Sequence, residues 1–174
     1  TLFQELQTFG IDESILTPLQ YTRQTQTKFF EENYRKFRLD SFSYVYLGYN
    51  LSLPLFKDKR VRQALNYAVD KSEIIKGVLM GLGKVCTGPF VPESWAYNKD
   101  VLPAEFSAQK AKELLFSAGW NDNNNDGWLE KEGKKFEFTI ITNQGNLERL
   151  RTAEIIQAEL KNVGIKVNIK IVEW

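Results

Sequence analysis

The chain has 174 residues, of which 43% are hydrophobic and 26% charged, the balance of a globular protein large enough to bury a core without disulfide staples. Its 23 Lys plus Arg against 22 Asp plus Glu leave a net charge of +1, which argues against nucleic acid as a partner, and no apolar run reaches the length of a membrane span. There is no His and one Cys, Cys86, which removes His-dependent triads, His general bases, His-ligated metals and any intrachain disulfide.

Residues 1–40 are the least regular part. Thr1 to Phe9 suits a short helix closed by Gly10, and the segment after it has no clear periodicity. Residues 42–50 (FSYVYLGYN) are aromatic and β-branched and predict a buried strand, followed by a turn from Asn50 to Pro54. Asp58 suits an N-cap, because Val61, Ala64, Leu65, Ala68 and Val69 then recur on one helical face. Asp70 and Glu73 resemble a capping box for a second helix with Ile74, Ile75, Val78 and Leu79 inward. Pro89, Pro92 and Pro103 mark an ordered loop around Trp95, and Cys86 in its small-residue stretch reads as a buried structural thiol. Ser107 suits the cap of a third helix, with Ala111, Leu114, Leu115 and Ala118 inward and Gly119 at its end.

The clearest unit comes last. Phe136, Phe138 and Ile140 alternate with Glu137 and Thr139 as a strand. The turn Asn143 to Asn146 leads into a long helix bearing Leu147, Leu150, Ala153, Ile156, Leu160 and Val163, which Gly164 ends. Ile165, Val167, Ile169 and Ile171 then alternate with Lys166, Asn168 and Lys170. Strand, helix, strand with short connections predicts a βαβ unit with parallel strands.

Two features carry candidate chemistry. Asn143, Gln144 and Asn146 precede a helix whose first turns hold Arg149 and Arg151, a place where free N–H groups and the positive helix end suit a carboxylate or a polar ligand. Every βαβ unit has such a turn, so this feature alone favours a plain capped helix. The second is Asp122 to Gly127, which fits the opening of the calcium-loop pattern D-x-[DN]-x-[DN]-G with Asp122, Asn124 and Asp126 alternating. The twelfth position is Gly133, where the pattern wants a bidentate Glu, and Glu130 falls at the ninth. That excludes an EF-hand sensor and leaves a short calcium loop against the favoured solvated turn. The basic stretch Lys57 to Arg62 reads as the solvent face of a helix, and no paired carboxylate sits in an apolar run that suits acid–base catalysis.

The run Leu55 to Lys71 (LFKDKRVRQALNYAVDK) closely resembles the signature of the extracellular solute-binding proteins of family 5, the peptide-binding receptors of ABC importers. Gly88-Pro89, Pro92 and Ser94 to Asn98 follow in order, then Ala111 to Leu115 with Ala118 to Trp120, then Ala153 to Gln157, Val163 to Ile165 and Glu173-Trp174. Gly10-Ile11-Asp12 is a looser match. The resemblance implies an α/β fold in which a mixed sheet with packed helices forms one lobe of a periplasmic-binding-protein-like (type II, Venus-flytrap) receptor. Residues 46–174 would form most of that lobe, and residues 1–45 would belong with the other lobe or the junction. It also implies no enzyme and no required cofactor, Ca2+ in the Asp/Asn loop being the one candidate. Short peptides are the implied cargo, with an oligosaccharide or a nickel complex as alternatives, handed to ABC permease subunits. The implied location is extracytoplasmic, as a periplasmic protein or a cell-surface lipoprotein; a calcium-stabilised interaction module is the reading from another class. In such receptors the turn before the long helix faces the cleft, which marks Asn143, Gln144, Gly145, Asn146, Glu148 and Arg149 as ligand-binding, with Asn50 and Leu51 bordering it. The chain opens at Thr1 without a Met or a signal-like segment, and the Trp- and Asp-bearing cleft segment that follows in the family is not in it, so it reads as a piece of a larger protein that binds weakly alone.

Overall fold

Side-chain oxygens start the helices where the sequence places them. The computed structural model describes residues 1–39 and 43–173. Asp58 accepts from Arg60 N–H at the start of α4 (Lys59–Tyr67), and Asp70 from Ser72 and Glu73 at the start of α5 (Lys71–Gly77). Ser107 accepts from Lys110 to start α6 (Ala108–Ser117), and Asn146 from Arg149 to start α7 (Leu147–Lys161). Each oxygen satisfies an amide that has no partner within its own helix.

Seven-residue strands flank α7. β3 (Glu137–Asn143) runs parallel to β4 (Lys166–Val172), with Phe138 opposite Val167 and Ile140 opposite Ile169. This is the predicted βαβ unit. Ile140, Val167, Ala153, Ile156 and Leu160 of the unit bury against Val61, Ala64 and Leu65 of α4 and against Ala111 and Leu115 of α6. The short helix α3 (Pro54–Lys57) adds Phe56, whose ring lies 5.2 Å from Tyr49 and 5.4 Å from Phe138. Burial pushes the Tyr49 hydroxyl up to about 12, against the opposing charge of Arg62. A two-residue antiparallel hairpin, β1 (Glu130–Lys131) with β2 (Lys134–Lys135), was not expected from the sequence, because its strands are too short to show a period.

The N-terminal segment packs around rings of its own. Phe3, Phe9, Phe29, Phe30 and Tyr34 lie 5.2–6.2 Å apart, between α1 (Leu2–Gln7) and α2 (Lys28–Asn33). Tyr34 donates its hydroxyl to the Leu6 carbonyl at 2.7 Å. A π-helical turn at Gln20–Gln24 is held by Lys36, which donates to the Tyr21 carbonyl and lies 5.1 Å over that ring.

Two expectations need correction. Residues 43–50 form no strand, and Phe42, where that strand was to start, lies outside the described residues, as does Trp174 of the Glu173-Trp174 match. Tyr44, Val45 and Tyr46 stay exposed because no described neighbour pairs with their backbone, while Leu47 and Tyr49 pack on the core. Cys86 is exposed rather than buried, on the wall of a cavity of about 710 Å³ shared with Tyr67, Lys71 and Lys110. Trp95, in the loop marked by the prolines, is 98% exposed. The end of α1 is closed as expected by the Gly10 N–H, which donates to the Glu5 carbonyl at 2.8 Å, with Phe9 before it in the left-handed conformation.

Asp70 and Glu73 make only half of a capping box. The Asp70 N–H donates instead to Glu159 Oε2 at 3.0 Å, so a side chain of α7 completes the start of α5. Burial holds the Glu159 carboxyl above its ordinary range, and the Asp70 and Glu73 carboxylates add to this against the Asp70 N–H and Lys71. A carboxyl raised in this way binds its proton more tightly folded than unfolded. Its contribution to stability is therefore present at low pH and lost as pH rises through the raised value. Glu159→Gln keeps an oxygen for the Asp70 N–H and removes the charge. We expect it to gain less than about 1 kcal/mol at neutral pH, because the group is only partly buried and water screens it, and nothing at about pH 4. Urea midpoints of both proteins across that range check this, and an equal change at every pH would contradict it.

Candidate functional site

The turn at the carboxyl end of β3 is built by four consecutive residues. Asn143 closes the strand opposite Val172, and the next amide, Gln144 N–H, donates to the Val172 carbonyl at 2.8 Å. Gly145 has φ +81°, a conformation that costs a residue with a Cβ, and it reverses the chain toward the helix. Asn146 Oδ1 takes the Arg149 N–H at 2.9 Å. The Arg149 guanidinium folds back and donates to Asn143 Oδ1 at 2.9 Å, while Asn143 Nδ2 donates to the Gln144 carbonyl at 3.2 Å.

The result is a polar rim with a cation fixed beside the positive end of a 15-residue helix. Arg149 and Gln144 are exposed, and Glu148 is half-buried in the same first turn. Below the rim Thr142 is only 6% exposed, and its hydroxyl has no hydrogen-bond partner among the described residues. Nothing in the sequence singled it out, since its position in the strand alternation is that of a core residue. Arg151 faces solvent and takes no part in this network.

Asn50 and Leu51 occupy a separate turn at the start of α3. Asn50 Oδ1 accepts the Ser52 N–H at 3.0 Å, its carbonyl accepts the Leu53 N–H, and Leu51 is 55% exposed. No hydrogen bond joins this turn to residues 143–149 among the described residues. Phe56, between Tyr49 and Phe138, is the packed link from this turn to β3.

The acidic loop gathers most of its sequence-predicted residues. Carboxylate oxygens of Asp122, Asp126 and Glu130 lie within 4.8 Å of one another. Asp122 accepts from the amides of Asp126 and Gly127, and Asn124 Oδ1 accepts from Asp126 at 2.9 Å. Lys135, carried in by the hairpin, forms an ion pair with Asp126 and holds that carboxyl below its ordinary range, helped by the Trp128 N–H. The sequence reading missed Lys135 because it missed the hairpin. The basic stretch is structural: Arg60 bonds Asp58 and the Ser117 carbonyl, and Arg62 bonds the carbonyls of Phe56 and Lys57.

A family model described as bacterial extracellular solute-binding proteins, family 5 Middle, matches residues 2–174. The chain is 51% identical over 136 residues to the "Oligopeptide-binding protein AppA" of Bacillus subtilis, covering 77% of this chain and 25% of that protein. It is 35% identical over 130 residues to "Heme-binding protein A" of Haemophilus influenzae, covering 74% and 22%. The solved structure of Bacillus subtilis AppA in complex with a nonapeptide superimposes with TM-score 0.87 at 43% identity, covering 98% of this chain and 34% of that one. Campylobacter jejuni NikZ in complex with Ni(L-His) gives TM-score 0.86 at 33% identity, covering 99% and 34%. The chain thus spans about a quarter of the length of these curated relatives and about a third of the solved chains.

Proposed function

Because the chain belongs to family 5 of the bacterial extracellular solute-binding proteins, we propose that it is part of one lobe of a two-lobed receptor that captures short peptides outside the cytoplasm and hands them to an ABC permease. The observation that carries this is the polar turn at the carboxyl end of β3, where Asn143 and Asn146 fix Arg149 beside the start of α7. Ligands of open α/β sheets sit at such strand ends. The likeness to a receptor solved with a nonapeptide supports the choice of cargo.

In this reading the amide groups of Asn143, Gln144 and Asn146, the N–H of Gly145 and the charges of Glu148 and Arg149 meet the ligand, with Asn50 and Leu51 at the border. Residues 46–174 supply this wall, and residues 1–45 pack with the opposite lobe or the junction. Capture and closure make and break no covalent bond, so the whole effect is a binding free energy. No described helix is long and apolar enough to cross a membrane.

Calorimetry with a mixed short-peptide library tests the proposal on the intact parent, with this chain as the comparison. A parent that binds with a Kd of about 1 μM has about −8 kcal/mol, and losing half of its contacts leaves about −4, so the chain alone should bind about a thousandfold more weakly. No heat from the parent with peptides, and heat with an oligosaccharide or a nickel–histidine complex, would overturn the choice of cargo. Micromolar binding by this chain alone would overturn the shared cleft.

A further inference from the structure

We propose that Thr142 is a further cargo-binding residue, whose buried hydroxyl donates to an oxygen of the ligand at the start of α7. This rests on the reading of the β3–α7 turn as the cargo site.

Two polar side chains are buried among the described residues, Thr25 at 1% exposed and Thr142 at 6%. Their hydroxyls differ. That of Thr25 donates to the Gln20 carbonyl at 2.9 Å and accepts from Lys36 at 3.1 Å. That of Thr142 has no hydrogen-bond partner among the described residues. A buried hydroxyl left unpaired is destabilising, and a methyl in its place is not. Valine has the same shape and suits a strand as well. Fold stability therefore gives no reason for a hydroxyl here, and a ligand does.

The position of Thr142 says where that ligand sits. By the strand's alternation Thr142 shares the α7-facing side of β3 with Ile140. Ile140 lies in the core opposite Ile169, and one step further along that face Thr142 stands opposite Ile171, which is 51% exposed. Thr142 is thus the last buried residue of β3 before this face opens at the turn. In the turn and the first residues of α7, the N–H groups of Gly145, Asn146, Leu147 and Glu148 have no acceptor among the described residues, and Asn146 Oδ1 is taken by the Arg149 N–H. All four are donors beside the positive end of a 15-residue helix, so the atom that fits against them is an oxygen. A peptide offers such oxygens as main-chain carbonyls and as its terminal carboxylate. Rotation about χ1 exchanges the positions of the Thr142 hydroxyl and methyl, and it breaks no hydrogen bond because the hydroxyl makes none. The rotated hydroxyl joins the free amides on the same ligand oxygen. The unliganded protein carries the unpaired group, and binding relieves it.

Calorimetry on the intact parent tests this with Thr142→Val and Thr142→Ser. The ligands are a short-peptide library as free acids, the same peptides amidated at the carboxyl end, an oligosaccharide and a nickel–histidine complex. Thr142→Val should weaken binding about tenfold, the loss of one hydrogen bond to the ligand. Its melting temperature without ligand should hold or rise, because the unpaired hydroxyl is gone. Thr142→Ser keeps the hydroxyl and should bind within about threefold of the unaltered protein. An equal loss for free acids and amides assigns a main-chain carbonyl as the partner, and a loss confined to free acids assigns the terminal carboxylate. Binding of the oligosaccharide or the nickel complex in place of peptides overturns the choice of cargo, and the Thr142 comparison is then read on that ligand. The Thr142 proposal is overturned if Thr142→Val binds as the unaltered protein does, or if Thr142→Ser loses as much as Thr142→Val. It is also overturned if Thr142→Val lowers the melting temperature without ligand, the mark of a hydroxyl with a structural partner. A parent that binds none of these ligands overturns both readings.

Discussion

Replacing Phe136 with Ala should destabilise the chain by about 3–5 kcal/mol, the usual cost of emptying a buried aromatic site. Phe136 is fully buried, with its ring 4.5 Å from Trp120 and 6.3 Å from Phe138. Its backbone joins two structures: the N–H donates to the Leu129 carbonyl at 2.7 Å, and the carbonyl accepts from Lys166 at the start of β4. The cavity would open where the acidic loop, α6 and the parallel strands meet, and the strands cannot close it without losing register. A domain of this size holds about 5–15 kcal/mol in total, so the variant should be partly unfolded at 37 °C. Urea denaturation followed by tryptophan fluorescence measures the loss. Phe136→Leu, which keeps most of the volume, should cost about half as much. A loss below about 1 kcal/mol for the Ala variant would mean that the ring is not the centre of this core.

The parts of the fold that the sequence shows plainly are those that carry their own periodicity. The alternation from Phe136 to Ile140 and from Ile165 to Ile171, with a helical stripe between, is enough to place the parallel pair, because both strands bury the same face against α7. Asp58, Asp70, Ser107 and Asn146 are legible as caps because a short side-chain oxygen before an apolar stripe has one local use. Residues 43–50 look the same in composition but form no strand, since strand formation depends on a neighbour in space and composition does not report one. The hairpin at Glu130–Lys135 was hidden for the opposite reason: two-residue strands have no period to read.

The candidate sites divide in the same way. The four-residue turn and its helix start are local, so Asn143, Asn146 and Arg149 can be read together from spacing alone. The Asn143–Arg149 hydrogen bond needs the backward fold of a long side chain, which spacing does not give. Glu130 is visible as the ninth position of the acidic pattern, but its buried oxygen and the arrival of Lys135 are tertiary facts. The place of Asn50 and Leu51 comes from the family likeness and not from any periodicity.

Gly164→Ala should cost about 2–4 kcal/mol, from two separate effects. The first is backbone strain. Gly164 has φ +82° in the turn that ends α7, where its N–H donates to Lys161 and the Ile165 N–H returns to Leu160 at 3.0 Å. A residue with a Cβ costs about 1–2 kcal/mol in that conformation. The second is overpacking. A Cβ at Gly164 would meet Leu129 Cγ at 3.0 Å and the Gly127 carbonyl oxygen at 3.3 Å. One of those neighbours is backbone, so a rotamer change cannot relieve both contacts. The Gly164 carbonyl also accepts the Leu129 N–H at 2.8 Å, so a shift here moves the end of the acidic loop next to Glu130. Gly81 has nearly the same backbone, φ +80°, with nothing within 4 Å of its ideal Cβ. Gly81→Ala therefore isolates the backbone cost and should lose only about 1–2 kcal/mol. Parallel urea titrations of the two variants separate strain from contact. If they lose equal stability, the Leu129 and Gly127 contacts carry no cost and the acidic loop rests on α7 more loosely than these distances indicate.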